Sequence, residues 1–122
     1  MRLTQNKIMI VFVLFLTALS MYHCSKKSEW TTDSQEALTA FLQARDYHNA
    51  FNSKKALELY KKAFEADTNF ATVALMLADI YYDNGVMDSA KYYLKKSYDL
   101  SRQASRYEKL FIGRAYANFL MN

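Results

Sequence analysis

The 122-residue chain has few of the residues that interrupt helices. It contains no proline and only two glycines, Gly85 and Gly113, so the turns and bulges of an all-β fold lack their usual residues. Alanine, leucine, lysine and glutamate are all well suited to helices and occur throughout. The composition predicts an all-α class, and the length allows one domain.

Residues that bind metals or form disulfides are also scarce. The single cysteine, Cys24, excludes an intrachain disulfide and a zinc site of several cysteines. The two histidines, His23 and His48, lie in different segments, and neither has cysteines or carboxylates at ligand spacing. We therefore predict no metal site.

Catalytic motifs are absent from the sequence as well. It has no nucleophile elbow, no glycine-rich phosphate loop and no recognisable acid/base constellation. We predict a protein that is not an enzyme and has no cofactor.

The net charge of +4 raises the question of a nucleic-acid partner. The lysines occur in pairs with glutamates nearby at helical spacing, which is typical of a solvated helix face. We therefore predict no nucleic-acid binding. The pairs are Lys54-Lys55, Lys61-Lys62 and Lys95-Lys96.

The N-terminus indicates the compartment. Arg2 and Lys7 precede an apolar run from Ile8 to Leu19, a pattern typical of an export signal or a short membrane anchor. We assign residues 1–24 to a signal peptide or membrane anchor helix and residues 25–32 to a polar tether.

Three fates of this segment stay open. It is cleaved after Ser20, lipidated on Cys24, or retained as an anchor. Cys24 resembles the lipidation site of a bacterial lipoprotein, although Met21, Tyr22 and His23 stand where that signal has leucine and small residues. All three fates place the protein in a bacterial cell envelope, either periplasmic or membrane-tethered. Lipidation or retention attaches it to the membrane through its N-terminus, which is the partner contact that we predict there.

Helix starts are indicated by two pairs of polar residues. Asp33 and Glu36 have the spacing of a capping box, which predicts a helix start at the beginning of a domain over residues 33–122. Ser105 and Glu108 repeat that spacing before the last helix.

The domain matches itself when it is shifted by about 34 residues. Small residues then fall on small ones and large residues on large ones. The matched pairs are Ala37 and Ala71, Ala40 and Ala74, Ala44 and Ala78, Tyr47 and Tyr81, Ala56 and Ala90, Leu59 and Tyr93, Tyr60 and Leu94, and Ala63 and Ser97.

These positions resemble the tetratricopeptide repeat (TPR) pattern. Ala44 and Ala78 stand at the small position of its helix A, and Gly85 stands at its turn glycine, where the first repeat has Phe51. The resemblance implies antiparallel helical hairpins stacked as a short solenoid. Its units are repeats at about 37–70 and 71–104 and a half-repeat at 105–122. Such a run also resembles repeat regions in bacterial signalling and regulatory proteins.

The same resemblance implies a function. In this family helix A of each repeat lines a concave groove that binds a peptide or a partner helix. We therefore predict a non-catalytic protein–protein interaction scaffold, exported or membrane-tethered, with an external sensory or regulatory fragment of a membrane-anchored signalling protein as the alternative. The groove positions are Leu38, Phe41, Arg45, His48, Asn49, Thr72, Leu75, Asp79, Tyr82 and Asp83.

The last helix is too apolar for a capping helix with a polar outer face. Leu110, Phe111, Ala115, Phe119 and Leu120 all lie within it. We predict either self-association through residues 105–122 or a continuation of the repeats that covers this helix in a longer protein.

Overall fold

A computed structural model describes residues 29–121, which are helical and, over this range, contain no strand. The all-α prediction is confirmed for this part, whereas the predicted N-terminal helix at 1–24 lies outside it. Between Glu29 and Met121 no helix has the length and hydropathy of a membrane span. The helices are α1 Gln35–Asn49, α2 Ser53–Ala66, α3 Ala71–Asp83, α4 Met87–Leu100 and α5 Arg106–Met121, with a 3₁₀ turn at Ser101–Gln103.

The helices pack as pairs, α1 with α2 and α3 with α4. Small residues occupy the contacts within the first pair, where Ala40, Ala44, Ala56 and Ala63 are all buried. Because alanine adds only one carbon beyond the backbone, two helices with alanine at their crossing can approach closely. Helix α3 also contacts α2, and α5 rests on both α3 and α4.

Equivalent positions are buried in successive units. Ala44, Ala78 and Ile112 are spaced at the repeat period and all are buried. The same is true of the set that begins with Ala40 and Ala74, although its third member is Glu108. Helix α5 therefore follows the same spacing of about 34 residues, and the packed helix pairs are compatible with a helical repeat.

The two helix pairs contain the same turn, although only one has the expected glycine. The Asn52 N–H donates to the Tyr47 carbonyl at 2.9 Å, and the Val86 N–H donates to the Tyr81 carbonyl at 2.8 Å. Both bonds belong to a Schellman motif, which needs a residue of positive φ just after the helix. Phe51 supplies it with φ 59° and Gly85 with φ 73°. The turn is therefore kept in the first unit at the cost of a strained phenylalanine.

The first helix begins one residue later than predicted. The side chain of Ser34 accepts a hydrogen bond from the Ala37 N–H at 3.1 Å, so Ser34 is the N-cap of α1 and the capping role predicted for Asp33 is wrong. Ser34 is itself held by the hydroxyl of Thr32, which accepts from its N–H at 3.2 Å. Glu36 points instead to Lys62, with its Oε1 3.4 Å from the Nζ.

The segment before α1, residues 29–32, packs against the helices of the domain. The Trp30 ring meets Phe41 edge-on at 4.8 Å between centroids and Tyr107 at 5.7 Å. Phe41 in turn contacts Phe70, at 5.1 Å. Glu29–Thr32, the described end of the predicted tether, is thus in contact with both α1 and α5.

A buried carboxylate, that of Glu108, connects three parts of the chain by hydrogen bonds. Glu108 is fully buried, and its Oε1 accepts from the Thr72 hydroxyl at 2.7 Å. Its Oε2 accepts from the Thr31 N–H at 2.9 Å, from the Thr31 hydroxyl, and from the Ser105 N–H at 3.3 Å. The Glu108 N–H donates back to Ser105 Oγ at 3.2 Å, which confirms the capping box. One side chain therefore joins the N-terminal segment, α3 and the start of α5.

The two equivalent turns allow a matched test of backbone strain. Phe51→Gly should raise the free energy of unfolding by about 1 kcal/mol, because a left-handed conformation is costly for any residue with a Cβ. Gly85→Ala should lower it by a similar amount, since no atom lies within 4 Å of the added Cβ and only the backbone term acts. Urea unfolding followed by circular dichroism measures both. Changes of the same sign in the two variants would contradict the shared turn.

Removing the buried carboxylate should destabilise the domain strongly. Glu108→Ala leaves the Thr31 N–H and the hydroxyls of Thr31 and Thr72 without their carboxylate acceptor, which should lower the free energy of unfolding by about 2–4 kcal/mol. Trp30, the only tryptophan, should shift its emission to the red as its segment detaches. Glu36→Ala in α1 is the control and should change stability by less than about 0.5 kcal/mol. Unchanged emission with a loss below about 1 kcal/mol would refute this role of Glu108.

Candidate partner-binding site

The predicted groove positions of α1 and α3 meet across the repeat boundary. His48 Nε2 on α1 lies 3.9 Å from Asp79 Oδ2 on α3. His48 Nδ1 lies 3.5 Å from the hydroxyl of Tyr60, which reaches the same point from α2. The centre of the groove is therefore a polar cluster built from three helices.

Not every predicted groove position reaches the surface. Arg45, Asn49, Asp79, Tyr82 and Asp83 are exposed, and Leu38 and His48 are half-buried. Leu75 is 5% exposed and lines the cleft described below. Phe41 and Thr72, in contrast, are in the core, where Phe41 contacts Trp30 and Thr72 bonds to Glu108. Neither offers its side chain to a partner, so the groove is shorter than predicted at its N-terminal end.

Removal from water is the main cause of the pKa shifts of Asp79 and Tyr60 at the groove centre. Partial burial raises the pKa of Asp79 above its ordinary value of 3.8, and the neighbouring Asp83 raises it further, while His48 opposes the change. Half of the Asp79 side chain is exposed, so water screens these effects. Burial also raises the pKa of Tyr60, which keeps its hydroxyl protonated. The groove thus presents a cationic Arg45 on α1 and two acids on α3.

An open cleft of about 600 Å³ adjoins this cluster, between α3, α4 and α5. The ring of Tyr82 meets Phe119 edge-on at 5.7 Å and forms one wall of it. Its polar lining consists of Asp79, Lys91 and Asn118. The apolar lining consists of Leu75, Met76, Ala78, Met87, Ala90, Leu94, Phe111, Ala115 and Phe119, together with the Tyr82 ring.

Sequence reasoning assigned only part of this lining to the site. Leu75, Asp79 and Tyr82 belong to the predicted groove, whereas Met87 and Lys91 come from α4, which the repeat pattern assigns to the outside. Phe111, Ala115 and Phe119 recur at four-residue spacing, and this regular spacing could have indicated a third wall. The repeat pattern predicted the helix-A positions of the groove but did not predict the cleft between α3, α4 and α5.

The arrangement has the chemistry of a binding surface. Apolar walls accept aliphatic or aromatic side chains, and charged groups at the rim orient them. Within residues 29–121 no group of three His, Cys, Asp or Glu side chains is placed to hold a metal ion.

Comparison with protein-family models and with curated proteins finds no match to this chain. The TPR resemblance therefore rests on the residues quoted above.

The raised pKa of Asp79 generates a pH prediction. Because its folded-state pKa lies above 3.8, the carboxyl favours folding most below pH 3.8, and this advantage is lost as the pH rises through the folded-state value. Asp79→Asn should therefore leave stability at pH 7 unchanged or raise it by less than about 1 kcal/mol. Any gain should disappear in acid.

Asp99 is the matched control for this measurement. A hydrogen bond from Lys95 lowers its pKa, so its contribution is present above pH 3.8 and is lost as the pH falls through the folded-state value. Unfolding curves of Asp79→Asn and Asp99→Asn across pH 3 to 7, about the range in which carboxyls titrate, should therefore diverge in opposite directions from the unsubstituted chain. Parallel curves would show that desolvation does not dominate at Asp79.

Proposed function

We propose that this protein is a non-catalytic protein–protein interaction scaffold of TPR type. In this proposal antiparallel hairpins at 37–70 and 71–104 and a half-repeat at 105–122 stack as a short solenoid. Burial of equivalent alanines at the repeat period and the identical turns at Phe51 and Gly85 support it. The family's turn is kept even where its glycine is replaced, which argues that the backbone geometry, and not only the composition, resembles a TPR.

The partner in this proposal is a peptide or protein segment bound along the groove. The observation that carries it is the continuity of the groove with the open cleft, because Asp79 and Tyr82 belong to both. An apolar side chain of the partner fills the cleft beside the Tyr82 ring. A basic group next to it faces Asp79 and Asp83, and an acidic group faces Arg45.

The proposed location is the bacterial cell envelope. The basic start and apolar run at 8–19 support export or membrane attachment. The intact mass of the membrane-extracted protein distinguishes a start at Met21, a lipid on Cys24 and a retained N-terminus. A retained N-terminus would favour the alternative, an external sensory or regulatory part of a membrane-anchored signalling protein.

The groove is tested by changing two of its exposed side chains, Arg45 and Tyr82, together. A photo-crosslinking residue at the neighbouring Asn49 identifies the partner in intact envelopes. Arg45→Ala with Tyr82→Ala should then weaken binding of that partner by at least about tenfold, since exposed Arg and Tyr often dominate interface energies.

A matched control keeps the change in charge and aromatic area but moves it outside the groove. Lys54→Ala with Tyr92→Ala alters exposed residues of α2 and α4 and should leave the affinity within about twofold. Equal affinities of the groove variant and the unsubstituted chain would remove the groove from the proposed function.

A further inference from the structure

The outward side of α5 carries large apolar side chains in contact with solvent. Leu110 is 68% exposed, Leu120 67% and Met121 77%. Leu110, Ala117 and Met121 are separated by seven and four residues, so they share one side of the helix. The buried Glu108 and Ile112 mark the opposite side, which rests on the domain.

The charges on this side of α5 are all of one sign. Arg106, Lys109 and Arg114 are exposed, while the only acid of the helix, Glu108, is buried. Helices α2 and α4 differ, because they carry exposed acids that pair with some of their lysines, as in the 3.0 Å pair of Lys55 with Glu58 and the 2.7 Å pair of Lys95 with Asp99. An apolar surface flanked only by cations is complementary to an anionic amphipathic surface.

The start of α5 lies next to the point where the chain enters the domain. Ser105 Oγ donates a hydrogen bond to the carbonyl of Glu29 at 2.9 Å. Glu29 follows the end of the apolar run at Leu19 by ten residues, which span at most about 35 Å. A bilayer that holds the apolar run is therefore within reach of α5. Lys26 and Lys27 add positive charge to the sequence between the apolar run and Glu29.

We propose that the outward face of α5, formed by Arg106, Lys109, Leu110, Arg114, Leu120 and Met121, docks on an anionic lipid surface. The proposal rests on the membrane attachment through residues 1–24 put forward above. The apolar side chains enter the headgroup boundary and the three cations contact lipid phosphates. Ala115 and Phe119 lie on another side of the helix and continue to line the cleft, so a docked domain keeps its cleft open.

A second copy of the chain is a poorer occupant of this face. Pairing α5 with α5 of another molecule would bring together two faces that each carry three cations, and neither helix offers an exposed acid to neutralise them. Like charges at close range disfavour such an interface.

The test uses the full chain reconstituted into vesicles of phosphatidylcholine, alone or mixed with phosphatidylglycerol. An environment-sensitive fluorophore is attached at Leu120→Cys in a Cys24→Ser background, with Tyr92→Cys on α4 as the control position. Emission at position 120 should shift to the blue and be quenched by nitroxide-labelled lipid, in anionic vesicles only and less so at high salt. Position 92 should show neither effect.

A second experiment reverses the three positive charges on the outward face of α5. Arg106→Glu with Lys109→Glu and Arg114→Glu should lower the ratio of docked to undocked domain by on the order of a hundredfold, because each cation near an anionic surface contributes about fivefold. Trp30 emission reports whether this variant keeps its fold. The salt dependence of the unsubstituted chain tests the proposal independently of that variant.

The outcomes separate docking from attachment. Protein that floats with the vesicles but shows no quenching at position 120 overturns the docking and leaves the attachment standing. Protein that floats with neither kind of vesicle overturns the docking and, because Cys24 is replaced, attachment through the retained apolar run. Energy transfer between labels on two molecules, equal in neutral and anionic vesicles, would show that a second copy covers the face and would overturn the proposal.

Discussion

The carboxylate of Glu108 is the interaction on which the rest of this domain depends. Helix α5 buries only Glu108 and Ile112 completely, so its position is set more by hydrogen bonds than by apolar area. A buried carboxylate is costly unless its oxygens are satisfied, and here Thr31, Thr72 and Ser105 satisfy them from three parts of the chain. The cleft exists only while α5 stays in place, because two of its apolar walls, Phe111 and Phe119, belong to that helix.

The repeat pattern explains why the carboxylate needs these partners. In the first two units the position equivalent to Glu108 is alanine, Ala40 or Ala74, and it is buried by close helix contact. A glutamate at that position cannot be buried in the same way, and it requires polar neighbours instead. The segment that carries Trp30 and Thr31 supplies part of this polar surrounding, and it contacts the start of α5 through Ser105, Tyr107 and Glu108.

The features that recur in the sequence were predictable, and those that depend on distant residues were not. The alanine spacing gave the helices, their pairing and the period, because it reflects contacts that each unit repeats. The turn at Phe51 was hidden, since its backbone hydrogen bonds override the residue's own preference. Two groove predictions, Phe41 and Thr72, failed because Trp30 and Glu108 cover them from segments that the helix-A pattern does not include.

In α1 and α3 the two halves of each helix differ in how far their groove residues are exposed. The N-terminal halves carry the buried Phe41 and Thr72, whereas the C-terminal halves carry the half-buried His48 and the exposed Tyr82. Thr72 and Tyr82 are separated along α3 by about 15 Å at 1.5 Å per residue. In the proposed function, a partner in the groove would contact the ends of the helices that lie away from Glu108 and from the entry of the N-terminal segment. Binding at one end and attachment at the other can then occur without competing for the same side chains.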